Sequence, residues 1–250
     1  MIRSSREGHV ATITLADPDR HNALDQTAIA ALIAQLDDIA QSDARCLVLT
    51  GEGKTFCAGA RLDQLTSGAL AENPFAPLCE RLEAFRLPTI AALQGSVFGA
   101  GVELALACDF RIGVEGMKAT VPAAEFGIHY TQAGIARVVS KLGPQMARRV
   151  FLMAERFEAE SLLAAGYLDE LVTREDLERE TAAMAQRLAA LAPLAVQGMK
   201  ASILAATLGG ATAADTSAAE ARIRACFDSA DHREGMAARA EKRAPVFKAR

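Results

Sequence analysis

Apolar and polar residues alternate through HVATITLA (9–16), the period of a half-buried strand, until Asp17-Pro18-Asp19 breaks the run. From Asp25 the period changes. Ala28, Ile29, Leu32, Ile33, Leu36 and Ile39 recur at i, i+3, i+4 spacing, which predicts a helix with Asp25 as its N-cap. RCLVLT (45–50) reads as a short apolar strand stopped by Gly51 and Gly53, and a helix over roughly 75–86 ends before Pro88. TIAALQ (89–94) is a further strand, a helix opens near Gly99, and DFRIGVE (109–115) returns as a strand. Alternation of strand and helix predicts an α/β fold with a largely parallel sheet and helical crossovers. Beyond Gly143 the period is helical in 144–153, 158–165, 174–191, 194–206, 214–228 and 232–243, with one strand-like stretch, DELV (169–172). The expected organisation is an α/β core over 1–190 and a helical region over 191–250 that packs on the core and on neighbouring subunits.

Composition narrows the function classes. A chain of 250 residues holds one large domain with a substantial core, and 51% hydrophobic with 23% charged residues is ordinary for a soluble globular protein. A formal net charge of −4 leaves no basic footprint for nucleic acid. Cys46, Cys57, Cys79, Cys108 and Cys226 are odd in number and form no CxxC pair, which suits a reducing compartment and gives no sign of structural zinc. MIRSSREGHVATITL lacks the apolar segment of a secretory signal, and no stretch of about 18 apolar residues predicts a membrane span. A cytoplasmic protein without membrane partners is the expectation.

Several chemistries are disfavoured by the motifs. GAGVEL lacks the third glycine of a dinucleotide turn, and no GxxxxGK[ST] loop occurs. His9, His21, His129 and His232 have no metal-ligand spacing, so no metal site is expected. Gly95-Ser96-Val97-Phe98-Gly99 has its serine one place early for a nucleophile elbow. What remains is a pair of small-residue turns after strands, LVLTGEGKTFCAGARL and IAALQGSVFGAGVEL. Glycine and alanine at a strand–helix junction let a ligand approach the backbone and leave helix-opening N–H groups unpaired. Tight helix–sheet packing selects the same residues. The second turn runs into SVFGAGVELALACDF (96–110), where Glu103 is a carboxylate within the apolar run 97–108. Either it neutralises a basic core partner or it faces a cavity where an acid is useful.

ITLADPDRHNALD (13–25), VLTGEGKTFCAGARL (48–62) and LQGSVFGAGVELALACDFRIG (93–113) resemble the three N-terminal motifs of the crotonase superfamily, the enoyl-CoA hydratase/isomerase family. The resemblance continues through GIHYTQAGIARVVSKLG (127–143) and AERFEAESLLAAGYLDELV (154–172) to EKRAPVFK (241–248). It implies a crotonase-like spiral core of repeated ββα units and a helical C-terminal region that builds a homotrimer or a dimer of trimers. It also implies an acyl-CoA substrate, with coenzyme A entering only as part of the thioester and no cofactor bound permanently. The N–H groups of Ala60 and Ala100 are then the two donors that hold the thioester oxygen and stabilise the enolate. Backbone near Ala23 and Ala58 would contact coenzyme A, Lys54 would lie near its phosphates, and Lys242 would come from a neighbouring subunit. Both lysines read equally as ordinary solvated charges.

The same resemblance places Glu103 on the first of two glutamates that act as acid and base in family hydratases. The second falls on Ala123. Glu125 would point to the same face as position 123 if this segment were a strand. Thr131 stands where some isomerases carry an acid, and Arg61 replaces the usual aspartate after the first turn. Tyr130 is similar to a tyrosine of family members that decarboxylate malonyl-type thioesters, although the first turn lacks their histidine. As a pocket-wall residue it would bond its hydroxyl to backbone. The implied function is an enoyl-CoA hydratase/isomerase with Glu103 as acid/base. A malonyl-type decarboxylase using Tyr130, and a CoA-binding scaffold that has lost catalysis, are the alternatives. Residues 62–80 are expected to shape the acyl pocket.

Overall fold

The computed structural model describes residues 2–61, 75–207 and 212–249. Its framework is a six-stranded sheet built from β1 (Ile2–Glu7), β2 (Val10–Leu15), β3 (Cys46–Gly51), β5 (Thr89–Leu93), β7 (Phe110–Val114) and β10 (Glu170–Val172), in that order. All neighbours are parallel except the β1–β2 hairpin, which turns at Gly8 with φ 56°. β3 and β5 are buried nearly throughout, as strands covered on both faces must be. The spacing of 28–39 does form a helix, α1 (Gln26–Ala40), and Asp25 caps it by accepting from the Ala28 N–H at 2.8 Å.

A second, four-stranded sheet runs β4 (Thr55–Cys57), β6 (Ser96–Phe98), β8 (Lys118–Thr120) and β9 (Phe157–Glu158). β3 leads to β4, β5 to β6 and β7 to β8, so successive strand pairs feed first one sheet and then the other. The helices between them are α2 (Phe75–Glu83), α3 (Ala100–Ala107) and α4 (Gln132–Leu152). This is the ββα spiral. The reading of one parallel sheet is corrected here. The strands of the second sheet have two or three residues each, too few for a period-2 pattern to register. β1 was also missed, because IRSSRE exposes all but its first residue and owes its strand form to the β2 pairing. The helix expected from 144 begins instead at Gln132 and is broken at Gly143 (φ 83°), with Pro144 opening its second half.

The remaining helices follow the expected spans: α5 (Ala159–Ala164), α6 (Leu177–Ala189), α7 (Pro193–Thr207), α8 (Ala213–Asp228) and α9 (Ala230–Ala240). Lys200 of α7 ties the C-terminal region to the core by donating to Leu87 O at 2.8 Å and Asp109 Oδ2 at 2.7 Å. No single helix among the described residues is long and apolar enough to cross a membrane.

β4 and the start of α3 are closely packed. A Cβ on Gly101 would lie 2.2 Å from the carbonyl oxygen of Cys57, in the neighbouring turn. Gly101→Ala is therefore expected to destabilise the fold by at least about 1–3 kcal/mol in urea unfolding, as overpacking does. Gly198→Ala in α7, whose new methyl would meet nothing closer than Arg222 Cβ at 3.6 Å, is expected to be neutral or to stabilise by about 0.5–1 kcal/mol.

Candidate active site

Parallel pairing of β4 with β6, with a bulge between Thr55 and Cys57, sets the CAGAR turn beside the FGAG turn. Gly59 (φ 84°) is buried in that contact, and a Cβ there would stand 2.7 Å from the Ala100 nitrogen and 3.3 Å from that of Gly101. The left-handed backbone and the close approach both require glycine. Ala100 is the first residue of α3, so its N–H has no partner within the helix. Among the described residues no hydrogen bond is donated by the N–H of Ala60 or of Ala100. Both alanines are half-buried at the edge of the hydrophobic core, as are Ala123 and Tyr130. The arrangement offers two unspent donors beside a helix N-terminus, a place where developing negative charge is favoured.

The first turn is held by residues the sequence reading passed over. Asn22 Nδ2 donates to Glu52 O at 2.9 Å and to Thr55 O at 2.7 Å, and Gln94 Nε2 donates to Thr55 O at 2.9 Å. Gln94 Oε1 accepts from Gly51 N, and Asn22 Oδ1 accepts from Asp17 N. Asn22 adopts φ 54°, a left-handed conformation that asparagine tolerates better than most. Two buried amides thus fix the loop that carries Lys54 and leads to Ala58–Ala60. Ala58 N donates to His21 O, and Leu24 N donates to Gly59 O, which brings Ala23 and Ala58 onto adjoining backbone. Lys54 is exposed at the tip of that loop. Arg61 reaches Asp25 at 3.4 Å, so a cation now stands by the α1 cap. Lys242 is exposed just past α9, and its N–H donates to Arg239 O within its own helix end. Nothing in the single chain brings it to the two turns.

Glu103 lies one helical turn beyond Ala100 and is 2% exposed. Its Oε1 accepts a short bond from Arg137 Nη1 on α4. Its Oε2 is buried out of reach of Arg137, and the Tyr130 hydroxyl beside it is the hydrogen-bonding neighbour on that side. A basic core residue on one oxygen and a phenol on the other thus coexist at one carboxyl. Burial pushes the Glu103 carboxyl above its ordinary range, against the opposing pull of Arg137. Tyr130 is driven upward by burial and then by the Glu103 charge, which keeps its phenol neutral. The Tyr130 ring stacks at 4.8 Å on Phe151, and Gly134 leaves it room: a Cβ there would lie 2.5 Å from Tyr130 Cε1 and 2.9 Å from Glu103 Oε2. The expected backbone bond to the Tyr130 hydroxyl is absent among the described residues.

Neighbouring positions are fixed by local structure and burial. Residues Ala124–Phe126 form a 3-10 turn rather than a strand, and Glu125 is exposed on it, so the same-face argument for Glu125 fails. Thr131 is the N-cap of α4, accepting from Gly134 N at 3.1 Å. Burial lifts the Cys57 thiol, next to the first turn, to about 12, so no thiolate is available there. Of the segment expected to shape the acyl pocket, 62–74 lies outside the described residues, while Phe75, Leu78 and Cys79 of α2 are buried. A cavity of about 1100 Å³ opens between β1–β3, α6 and residues 245–247 and is lined by none of the predicted site residues.

The family model for enoyl-CoA hydratase/isomerase matches residues 5–250. The chain belongs to this family, within the crotonase superfamily. It is 32% identical over 247 residues to a protein of Mycobacterium tuberculosis named probable enoyl-CoA hydratase, covering 99% of both chains. It is 30% identical to the methylmalonyl-CoA decarboxylase of Escherichia coli, covering 95% of this chain and 94% of that one. A crystal structure of an enoyl-CoA hydratase/carnithine racemase from Magnetospirillum magneticum superposes with a TM-score of 0.92 at 30% identity, over 100% of this chain and 96% of the other. The spiral of two sheets is the fold of such crotonase enzymes.

Two outcomes are expected of this site. Tyr130→Phe removes the buried hydroxyl that faces Glu103 Oε2, so unfolding free energy should fall by about 1 kcal/mol and the Glu103 carboxyl should hold its proton to higher pH. Because the folded carboxyl of Glu103 holds its proton above the unfolded range, it favours folding most below pH about 4.3, and that contribution is lost as pH rises through the folded value. Urea titrations should show this decline in the wild type and a flatter profile in Glu103→Gln.

Proposed function

We propose that the enzyme acts on an acyl- or enoyl-CoA thioester whose carbonyl oxygen sits between the N–H groups of Ala60 and Ala100. The observation that carries the reading is that two close-packed turns present both N–H groups with their hydrogen-bonding capacity unused. Enolate formation moves charge onto that oxygen, and fixed donors favour the charged state over the neutral carbonyl. One such donor is worth about 3 kcal/mol of barrier. The α3 N-terminus adds its dipole in the same sense.

Glu103 handles the proton at the α-carbon. It sits on the same helical face as Ala100, it is the one acid of the family pair that this chain keeps, and burial raises its pKa, which favours the proton-carrying form. With Ala123 in the other position, a two-carboxylate hydration is disfavoured, and reactions that need one proton shuttle fit better. Adjoining backbone at Ala23 and Ala58 with Lys54 at the loop tip suits the adenosine and phosphates of coenzyme A, as a ligand and not as a resident cofactor. Exposed Ile203, Ile223 and Phe227 on α7 and α8 support a C-terminal region that covers itself by trimer formation and brings in Lys242 from a neighbour. Five free cysteines, four of them buried, suit a reducing compartment such as the cytoplasm.

A second reading rests on Tyr130. Its buried hydroxyl, beside Glu103 in a site that lacks the second acid, suits a malonyl-type thioester, where departure of CO2 creates the enolate without a base. A panel of crotonyl-CoA, a 3-enoyl-CoA and methylmalonyl-CoA separates the cases. Turnover of an enoyl-CoA that falls about 10²–10⁴-fold in Glu103→Gln, with thioester binding retained, is the expected result. CO2 release from methylmalonyl-CoA that is lost in Tyr130→Phe, without enoyl turnover, carries the second reading instead. Binding without turnover of any of them would make the chain a scaffold.

A further inference from the structure

Glu103 does not meet its cation in isolation. Arg137 lies between two carboxylates, Glu103 on α3 and Glu83 at the end of α2, and the three side chains are 3%, 2% and 6% exposed. Its Nε and Nη2 both approach Glu83 Oε2, at 3.1 and 3.0 Å, whereas Nη1 alone bonds Glu103. Lys141, one turn further along α4, comes within 3.4 Å of Glu83 Oε1 and donates to Leu106 O at 2.7 Å. The groups facing Glu103 are therefore Arg137 from α4, Tyr130 from the segment before it, and Cys79 and Glu83 from α2, with Lys141 acting through Glu83.

A buried ion pair that served packing alone would satisfy both oxygens of each acid, because an unpaired buried acceptor is costly. Here Arg137 takes one oxygen of Glu103 and leaves the other beside Tyr130, where Gly134 contributes no side chain. We propose that Arg137 and Glu83 are positioning residues for Glu103. Arg137 holds Oε1 so that Oε2 is the oxygen presented to substrate, and Glu83 draws off enough of the guanidinium charge that Glu103 remains able to carry a proton. This assignment rests on the proton-transfer role of Glu103 argued under the proposed function.

The sign of each substitution follows from charge sharing. Glu83→Gln gives the whole guanidinium to Glu103 and should lower its titration midpoint by about one pH unit or more, as an undivided opposite charge does. Lys141→Met makes Glu83 lean harder on Arg137 and should move the midpoint up. Carbon-13 NMR of the side-chain carboxyls, with the Glu103 signal assigned by its loss in Glu103→Gln, reads these shifts whether or not turnover is measured. In the wild type and both variants, the pH limb of kcat should move with the midpoint while far-UV circular dichroism stays unchanged. If Glu83→Gln does not fold, Lys141→Met still carries the test. A midpoint unmoved in the folded variants, with Glu103→Gln inactive, overturns the positioning role alone. Full activity in Glu103→Gln overturns the proton-transfer reading on which it rests.

Discussion

Contact between two strand–helix turns is the constraint on which this molecule depends. β4 and β6 pair in parallel, Gly59 abuts the Ala100 nitrogen, and Gly101 abuts the Cys57 carbonyl. With side chains at either glycine the turns would part, and the unbonded N–H groups of Ala60 and Ala100 would lose the backbone that holds them. Backbone donors cost no side-chain entropy to position, and the sheets that hold them are the best-buried part of the fold. The larger sheet supplies rigidity, and the smaller one, three residues wide at the relevant strands, supplies the placement.

Charge is handled differently. The fold buries two glutamates and an arginine where α2, α3 and α4 meet, and it does so without matching every oxygen. Buried ion pairs contribute little net stability compared with apolar packing, so such an incomplete network is better explained by what its free oxygen can do. Glu103 Oε2 and the Tyr130 hydroxyl face each other, one on each side of the question of which reaction the family scaffold performs here. With Ala123 where the resemblance expects a second acid, Glu103 is the carboxyl that stands at the start of α3 beside the two turns.

Much of the frame was legible in the chain. Asp25 reads as a cap because a short carboxylate before an amphipathic run has few other uses there, and it does cap α1. The apolar runs at 46–51 and 89–93 are buried strands, and the small-residue turns that follow them are the turns that meet. Glu103, an acid among alanines and leucines, stood out at once. Its partner did not: Arg137 is 34 residues away and Glu83 another 20 before it, and neither carries a local signal in a helix of ordinary composition. Asn22 and Gln94 went unread for the same reason, since a single amide announces nothing until both are seen closing one loop.

Periodicity, caps and glycine placement are local properties, written within a few residues, and so the chain by itself determined where its long strands and helices lie and which turns are free of side chains. Tertiary structure decided the rest. It made strands of two- and three-residue segments by giving them partners, and it turned residues 124–126 into a 3-10 turn that carries Glu125 away from the site. It also chose Arg137 to divide its charge between two acids. Those outcomes depend on which surfaces meet at a distance in sequence, and no stretch of residues carries that information alone.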